Sequence, residues 1–275
     1  MRRSLAVACS LALIAGCGGS SHERVNPEVM LDSTRTIPTA RTEIDLRVQV
    51  RGVERLSGPL HLHLEGGYVA PGYRRIPSFD WKFSASALGI PVEGEAVSTG
   101  LNAYLSVYGD NYEVGPGAVA AANDWINRTD ESDHPLDLRP RDWFGRARVE
   151  GEGNEGGVDC EQIAAPLRAV ALSDELTNLA AALALSSPPS IAGTIRGCVG
   201  FDDRYLHQFA VNAEVGIPVA DRAQLGGATS VHLQLEVVNS EIGEQQDISK
   251  PAGGGYRPIR DLALSLNDLG VPIPL

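Results

Sequence analysis

An α+β fold with an antiparallel sheet is what this sequence predicts, and three patterns predict it. Residues 79–86 read FDWKFSAS, so that Phe79, Trp81, Phe83 and Ala85 alternate with Asp80, Lys82, Ser84 and Ser86. A period of two places one set on each face of a sheet. Residues 42–50 alternate as strictly, with Ile44, Leu46, Val48 and Val50 against Glu43, Asp45, Arg47 and Gln49. The third pattern is order: strands, alanine-rich helical segments, strands again, and a last helical stripe. That order belongs to α+β rather than to alternating βαβ units. Strands apolar on one side need a cover for that side, and the apolar helices are the expected cover.

The chain opens with a targeting signal. Arg2 and Arg3 precede an apolar run over residues 5–15, and the run ends Ile14-Ala15-Gly16-Cys17 before Gly18-Gly19-Ser20-Ser21. A positive start and a short apolar stretch make a signal peptide, and the ending resembles a bacterial lipobox. Residues 1–16 are the expected signal, removed to leave Cys17 lipidated at the head of a tether over residues 17–41. The plainer alternative is a secretory signal with an incidental cysteine. The apolar run is too short to span a bilayer, whereas two or more acyl chains on Cys17 anchor firmly.

Loss of Arg2 and Arg3 takes the 23 basic residues to 21 against 35 acidic ones, and the formal charge from −12 to −14. So acidic a body disfavours nucleic acid as a partner and stands off an anionic membrane, which leaves anchoring to the acyl groups. Of the four cysteines, Cys9 leaves with the signal and Cys17 is acylated. Cys160 and Cys198 remain, in an oxidising compartment that favours a disulfide; two reduced buried thiols are the alternative. The bond would close a loop of about 39 residues, worth about 3–4 kcal/mol in the chain-entropy model.

Residues 42–275 read as one domain. Its first meander covers residues 42–114, with strands over 42–50 and 60–65 and short strands through 79–114. A helical segment covers 115–189. It begins with a helix at Gly115-Pro116. A helical turn at Pro140 follows, presenting Trp143 and Phe144, and then a strand over 158–164. Its last element is a long helix from Leu167 to Leu185 carrying Leu172, Leu176, Leu179 and Leu183 at spacings of four, three and four. Residues 151–156 (GEGNEG) read as a surface hairpin loop. A second meander covers 190–239, with Phe201-Asp202-Asp203 as its first turn. Residues 257–269 form the closing helix, with Ile259, Leu262, Leu266 and Leu269 as its stripe.

Motifs that carry chemistry are few. No Gly-x-Ser-x-Gly elbow, phosphate-binding glycine loop or His-Glu-x-x-His pair occurs in the chain, so no enzyme activity and no cofactor are expected. His61 and His63 share the outward face of one strand, but no third ligand is spaced to complete a metal site, and solvent-facing histidines are the expectation. The acidic run Asp130-Glu131-Ser132-Asp133 lacks the spacing of a calcium loop. The aromatic stripe has two readings. It is packed core, or it lines a ligand cavity whose candidate residues are Leu62, Phe79, Trp81, Phe83, Leu105 and Val107, with Leu176 and Leu179 from the long helix.

Several features together resemble the LppX/LprG-type lipid-carrier lipoproteins of the bacterial envelope, whose fold is similar to the LolA/LolB half-barrel. They are the lipobox at Cys17 and the early strand over 42–50. Val97-Ser98-Thr99-Gly100 and Tyr112-Glu113-Val114 in the first meander add to it, as do the Pro140 segment followed by residues 150–157 and the return to strands over 196–205 with Asp202-Asp203 in the turn. The resemblance implies one strongly curved antiparallel sheet, a half-barrel, with helices across its concave face. Between them lies a space for acyl chains of a lipid or acylated glycolipid. It implies a monomeric lipid carrier held through Cys17 at the outer face of the cytoplasmic membrane or in the cell envelope. The alternative is an envelope scaffold or adaptor in which the alanine-rich helix fills the cavity.

Overall fold

The computed structural model describes residues 26–32, 34–53, 58–70, 76–87, 90–128, 143–168, 185–252 and 254–262. Cys17, most of the predicted long helix with Leu176 and Leu179, the acidic run at 130–133 and the closing helix beyond 262 lie outside the described residues. The elements are α1 (Pro27–Asp32), β1 (Thr39–Arg51), β2 (Leu60–Val69), β3 (Ser78–Ala87), β4 (Ile90–Thr99), β5 (Ala103–Val107) and β6 (Asp110–Glu113). After α2 (Pro116–Arg128) come β7 (Arg148–Glu155), β8 (Val158–Pro166), β9 (Ser190–Gly200), β10 (Leu206–Gly216), β11 (Ser230–Ser240) and β12 (Arg257–Pro258).

All twelve strands join one sheet in the order β12-β6-β5-β4-β3-β2-β1-β11-β10-β9-β8-β7. The first meander runs outward from the centre and the second returns inward from the far edge, and β1 pairs with β11 to join them, Ile44 opposite Val237 and Leu46 opposite Leu235. A twisted sheet of this size curls, and its outer strands β12 and β7 do not pair with each other. The result is an open half-barrel. Every pairing is antiparallel except that of β12, which lies parallel to β6.

Directly opposed residues share a face, so register defines the two surfaces. Ala165, Ile195, Val211, Leu235, Leu46, Leu62, Ala85 and Val92 make one unbroken apolar row across eight strands. The next row runs Ile163, Gly197, Phe209, Val237, Ile44, Leu64, Phe83, Gly94, Val107. The opposite face carries rows such as Arg196, Ala210, Glu236, Asp45, His63, Ser84 and Glu93.

Cover is uneven along the apolar face. Over β8–β11 it is packed: Ile163, Ala165, Ile195, Val199, Phe209, Val211 and Ala213 are buried together with Met30 and Leu31 of α1 and with Phe144. Asn26 starts α1, its side-chain oxygen accepting the Glu28 N–H at 2.9 Å, and Pro27 needs no donor at the first helical position. Gly197 leaves room where a Cβ would meet Leu206, Ile163 and Phe144. Trp143 and Phe144, predicted to dock on an apolar surface, both lie against Phe209, with ring centroids 5.8 and 6.3 Å away.

Four expectations need correction. Residues 115–189 contain β7 as well as the expected strand at 158–164, and β7 and β8 form a hairpin at the outer edge of the second meander. The glycine-rich 151–156 stretch is mostly strand, and the turn is Gly156-Gly157, both with positive φ (59° and 85°), the geometry of a two-residue hairpin turn. Glycines in β7 had hidden its alternation. Leu167 pairs with Phe144 in an isolated bridge instead of starting a helix. Residues 257–258 are a strand and helix starts only at 259, since Pro258 suits a sheet edge as well as a helix start.

Candidate functional site

The apolar face of β2–β5 is the region built differently from a core. Leu62, Leu64, Phe79, Trp81, Phe83, Leu105 and Val107 all lie on it and all are half-buried. Six of the predicted cavity residues are therefore brought to one surface; Leu176 and Leu179 lie outside the described residues.

Small partners shape this surface. Trp81 stands between Gly66 and Ala96 in a row that continues to Leu105 and Tyr112, so its directly opposed neighbours are small. It stacks on Phe79, centroids 4.4 Å apart and planes 19° from parallel, an arrangement that adds to simple area burial. The Phe83 ring lies over Gly94, where a Cβ would come within 2.5 Å of the ring and 2.2 Å of the Ser106 carbonyl oxygen. The aromatics thus share one continuous apolar face of the sheet and form its floor.

Two polar groups sit in this floor. The Trp81 Nε1 is buried and has no hydrogen-bond partner among the described residues. A buried donor left unpaired costs about 1–3 kcal/mol, and most buried polar atoms are paired. Tyr68, opposite Phe79, is the second; burial pushes its phenol above the ordinary value, so it stays protonated and available as a donor. The Thr42 hydroxyl, beyond Gly66 in the Trp81 row, is already donated to Asn239 Oδ1 at 3.0 Å.

The polar face carries two open hollows. One, about 750 Å³, spans both meanders and is bordered by Asp45, Arg47, Gln162, Arg196, Asn212 and Glu236 among others. The second, about 790 Å³, is bordered by His63, Lys82, Glu93, Glu95 and Tyr108. Neither is the apolar cavity expected from the sequence; of its candidate residues only Phe83 borders one of them. His61 and His63, expected to face solvent freely, are held on Asp45 at 2.8 and 3.2 Å. Burial lifts the Asp45 carboxyl, but the hydrogen bonds from His61 and His63 outweigh it and leave the group below its ordinary value. Burial raises Glu95, and the neighbouring Asp80 carboxyl raises it further. Among the described residues no group of three His, Cys, Asp or Glu is arranged to hold a metal ion.

Cys160 and Cys198 are bonded, with Cα atoms 5.5 Å apart, and both are fully buried. Cys160 opposes Gly200 and Cys198 opposes Gln162, so the bond staples β8 to β9 diagonally, away from the half-buried floor. Residues whose role was not legible in the sequence are Gly66, Gly94, Ala96 and Tyr68. Small residues at alternate strand positions were the available signal, but what lies over them depends on register.

No family model and no curated protein matches the sequence. Among solved structures the chain is similar to the lipoprotein LppX of Mycobacterium tuberculosis, at 11% identity and a TM-score of 0.43, over 81% of this chain and 97% of that one. It is similar in the same degree to LprF of Mycobacterium bovis, at 11% identity and a TM-score of 0.44, over 82% and 97% of the two chains.

Proposed function

We propose that this chain is a cell-envelope lipoprotein, anchored through acylated Cys17, that binds the acyl chains of a lipid or acylated glycolipid on the apolar face of its first meander. One observation carries the reading: a continuous floor of Phe79, Trp81, Phe83, Leu62, Leu105 and Val107 stays half-buried, while the same rows over β8–β11 are closed by packing. Monomeric soluble proteins rarely leave contiguous apolar patches without use. Burying acyl chains there gains about 0.8 kcal/mol per methylene and needs no catalysis. Passage of lipid across the envelope follows from such a site on a tethered body.

Native mass spectrometry of the full-length protein, purified from membranes in mild detergent, tests it. Co-purifying mass that extracts as lipid and is diminished by Phe83→Glu is the expected result. Protein without lipid, and unable to take up added acyl lipid after delipidation, refutes the reading. A second reading, an envelope scaffold with a filled core, is favoured by the close packing of the second meander and predicts that outcome. Anchoring has its own check: labelled palmitate should enter the wild type and not Cys17→Ala.

A further inference from the structure

We infer that the Trp81 indole N–H is the polar anchor of this floor, and that it receives the carbonyl oxygen of an ester- or amide-linked acyl chain. The inference rests on the lipid-binding reading above and names the ligand chemistry within it. Trp81 Nε1 is buried and has no acceptor among the described residues. Its neighbours on the face, Phe79, Gly66, Ala96 and Leu105, carry no side-chain acceptor. The Thr42 hydroxyl in the same row donates to Asn239 Oδ1 and makes no hydrogen bond with the indole.

An acceptor from a ligand is what remains, and its charge state follows from the surroundings. Lys82 and Arg41 point to the opposite face, in the rows of Glu95 and Gly67. A phosphate or free carboxylate at Trp81 would therefore be desolvated without a cation beside it. A neutral carbonyl has the lone pairs without that penalty, and a pure hydrocarbon leaves the donor orphaned. Carbonyl-bearing acyl lipids are thus selected over equally apolar chains that lack the group, by the asymmetry that makes an unpaired buried donor costly.

The test compares dioleoyl phosphatidylcholine with its dialkyl ether counterpart of the same chain length and headgroup, titrated against delipidated full-length protein. Wild type should bind the ester lipid about five- to tenfold more tightly than the ether lipid. Trp81→Phe, which keeps the ring and removes the donor, should lose that preference by weakening the ester lipid alone. Equal wild-type affinity for the two lipids overturns the inference and leaves lipid binding standing. That arm holds even if the variant does not fold. An ester preference undiminished in Trp81→Phe overturns it as well. Binding of neither lipid defeats both the inference and the reading it rests on.

Discussion

Phe209 and Phe83 occupy the same cross-strand row, four strands apart. Phe209 is 3% exposed and meets Trp143 and Phe144. Phe83 lies over Gly94 and is only half-buried. The two positions have the same alternation behind them and differ in what arrives from elsewhere in the chain. Over the second meander, α1 and Phe144 close the face, and the Cys160–Cys198 bond staples its outer strands. Over the first, Trp81 and Phe83 oppose alanine and glycine across the strands and stay half-buried. One sheet therefore serves as a core in one half and as a candidate binding floor in the other.

The largest expected effect tests this contrast directly. Phe209→Ala should cost about 3–5 kcal/mol in urea unfolding, as a fully packed aromatic does, whereas Phe83→Ala should cost roughly 1–2 kcal/mol because less of its area leaves water on folding. Equal losses would break the distinction between the halves. Lipid uptake should respond in the opposite sense, reduced by Phe83→Ala and unaffected by Phe209→Ala where the latter remains folded.

Next in size is the staple. Replacing both Cys160 and Cys198 by alanine should remove about 3–4 kcal/mol, seen as a lower denaturation midpoint. The half-buried floor lies outside the closed loop, so lipid affinity of the folded fraction should not change. A change in affinity would show that the two halves are coupled.

Gly94→Val sharpens the picture of the floor itself. The new side chain must displace the Phe83 ring and crowd the Ser106 carbonyl, at a cost of about 1–3 kcal/mol. It should also reduce acyl binding more than the nearby exposed change Glu93→Gln. Equal effects of the two on binding would remove Phe83 from the floor.

The smallest effect lies on the polar side of the open half. Burial and Asp80 raise the Glu95 carboxyl above its unfolded value. Between those two values the folded state holds more protons than the unfolded state, so stability falls as pH rises through the window. Below the unfolded value this contribution is fully present; above the folded value it is lost. Glu95→Gln should therefore match wild type at acid pH and exceed it at neutral pH, by a few tenths of a kcal/mol, because solvent screens a group this accessible. A pH-independent difference would argue against the carboxyl pairing.

Much of the architecture was legible in the strand alternation. The rows containing Ile44, Leu46, Phe79, Trp81 and Phe83 have the period that the sheet uses, and the turn at Phe201-Asp202-Asp203 stands where expected. The β7–β8 hairpin was half legible: the 158–164 strand showed, but glycines at 151 and 153 erased its partner's pattern. At the candidate site the aromatics were legible and their neighbours were not. Gly66 and Ala96 flank Trp81 from strands 15 residues away on either side in sequence, and no local rule connects them.

Periodicity and composition by themselves determined which residues share a face, that the fold is α+β with an antiparallel sheet, and that Cys160 and Cys198 were available to each other. These follow from alternation at fixed period and from counting, both local properties of the chain. Only the tertiary structure decided which half of the apolar face is filled, because burial depends on whether α1 and Phe144 reach a given row. It alone also left the Trp81 N–H without a partner among the described residues, since that requires its directly opposed neighbours, Gly66 and Ala96, both to lack a side-chain acceptor.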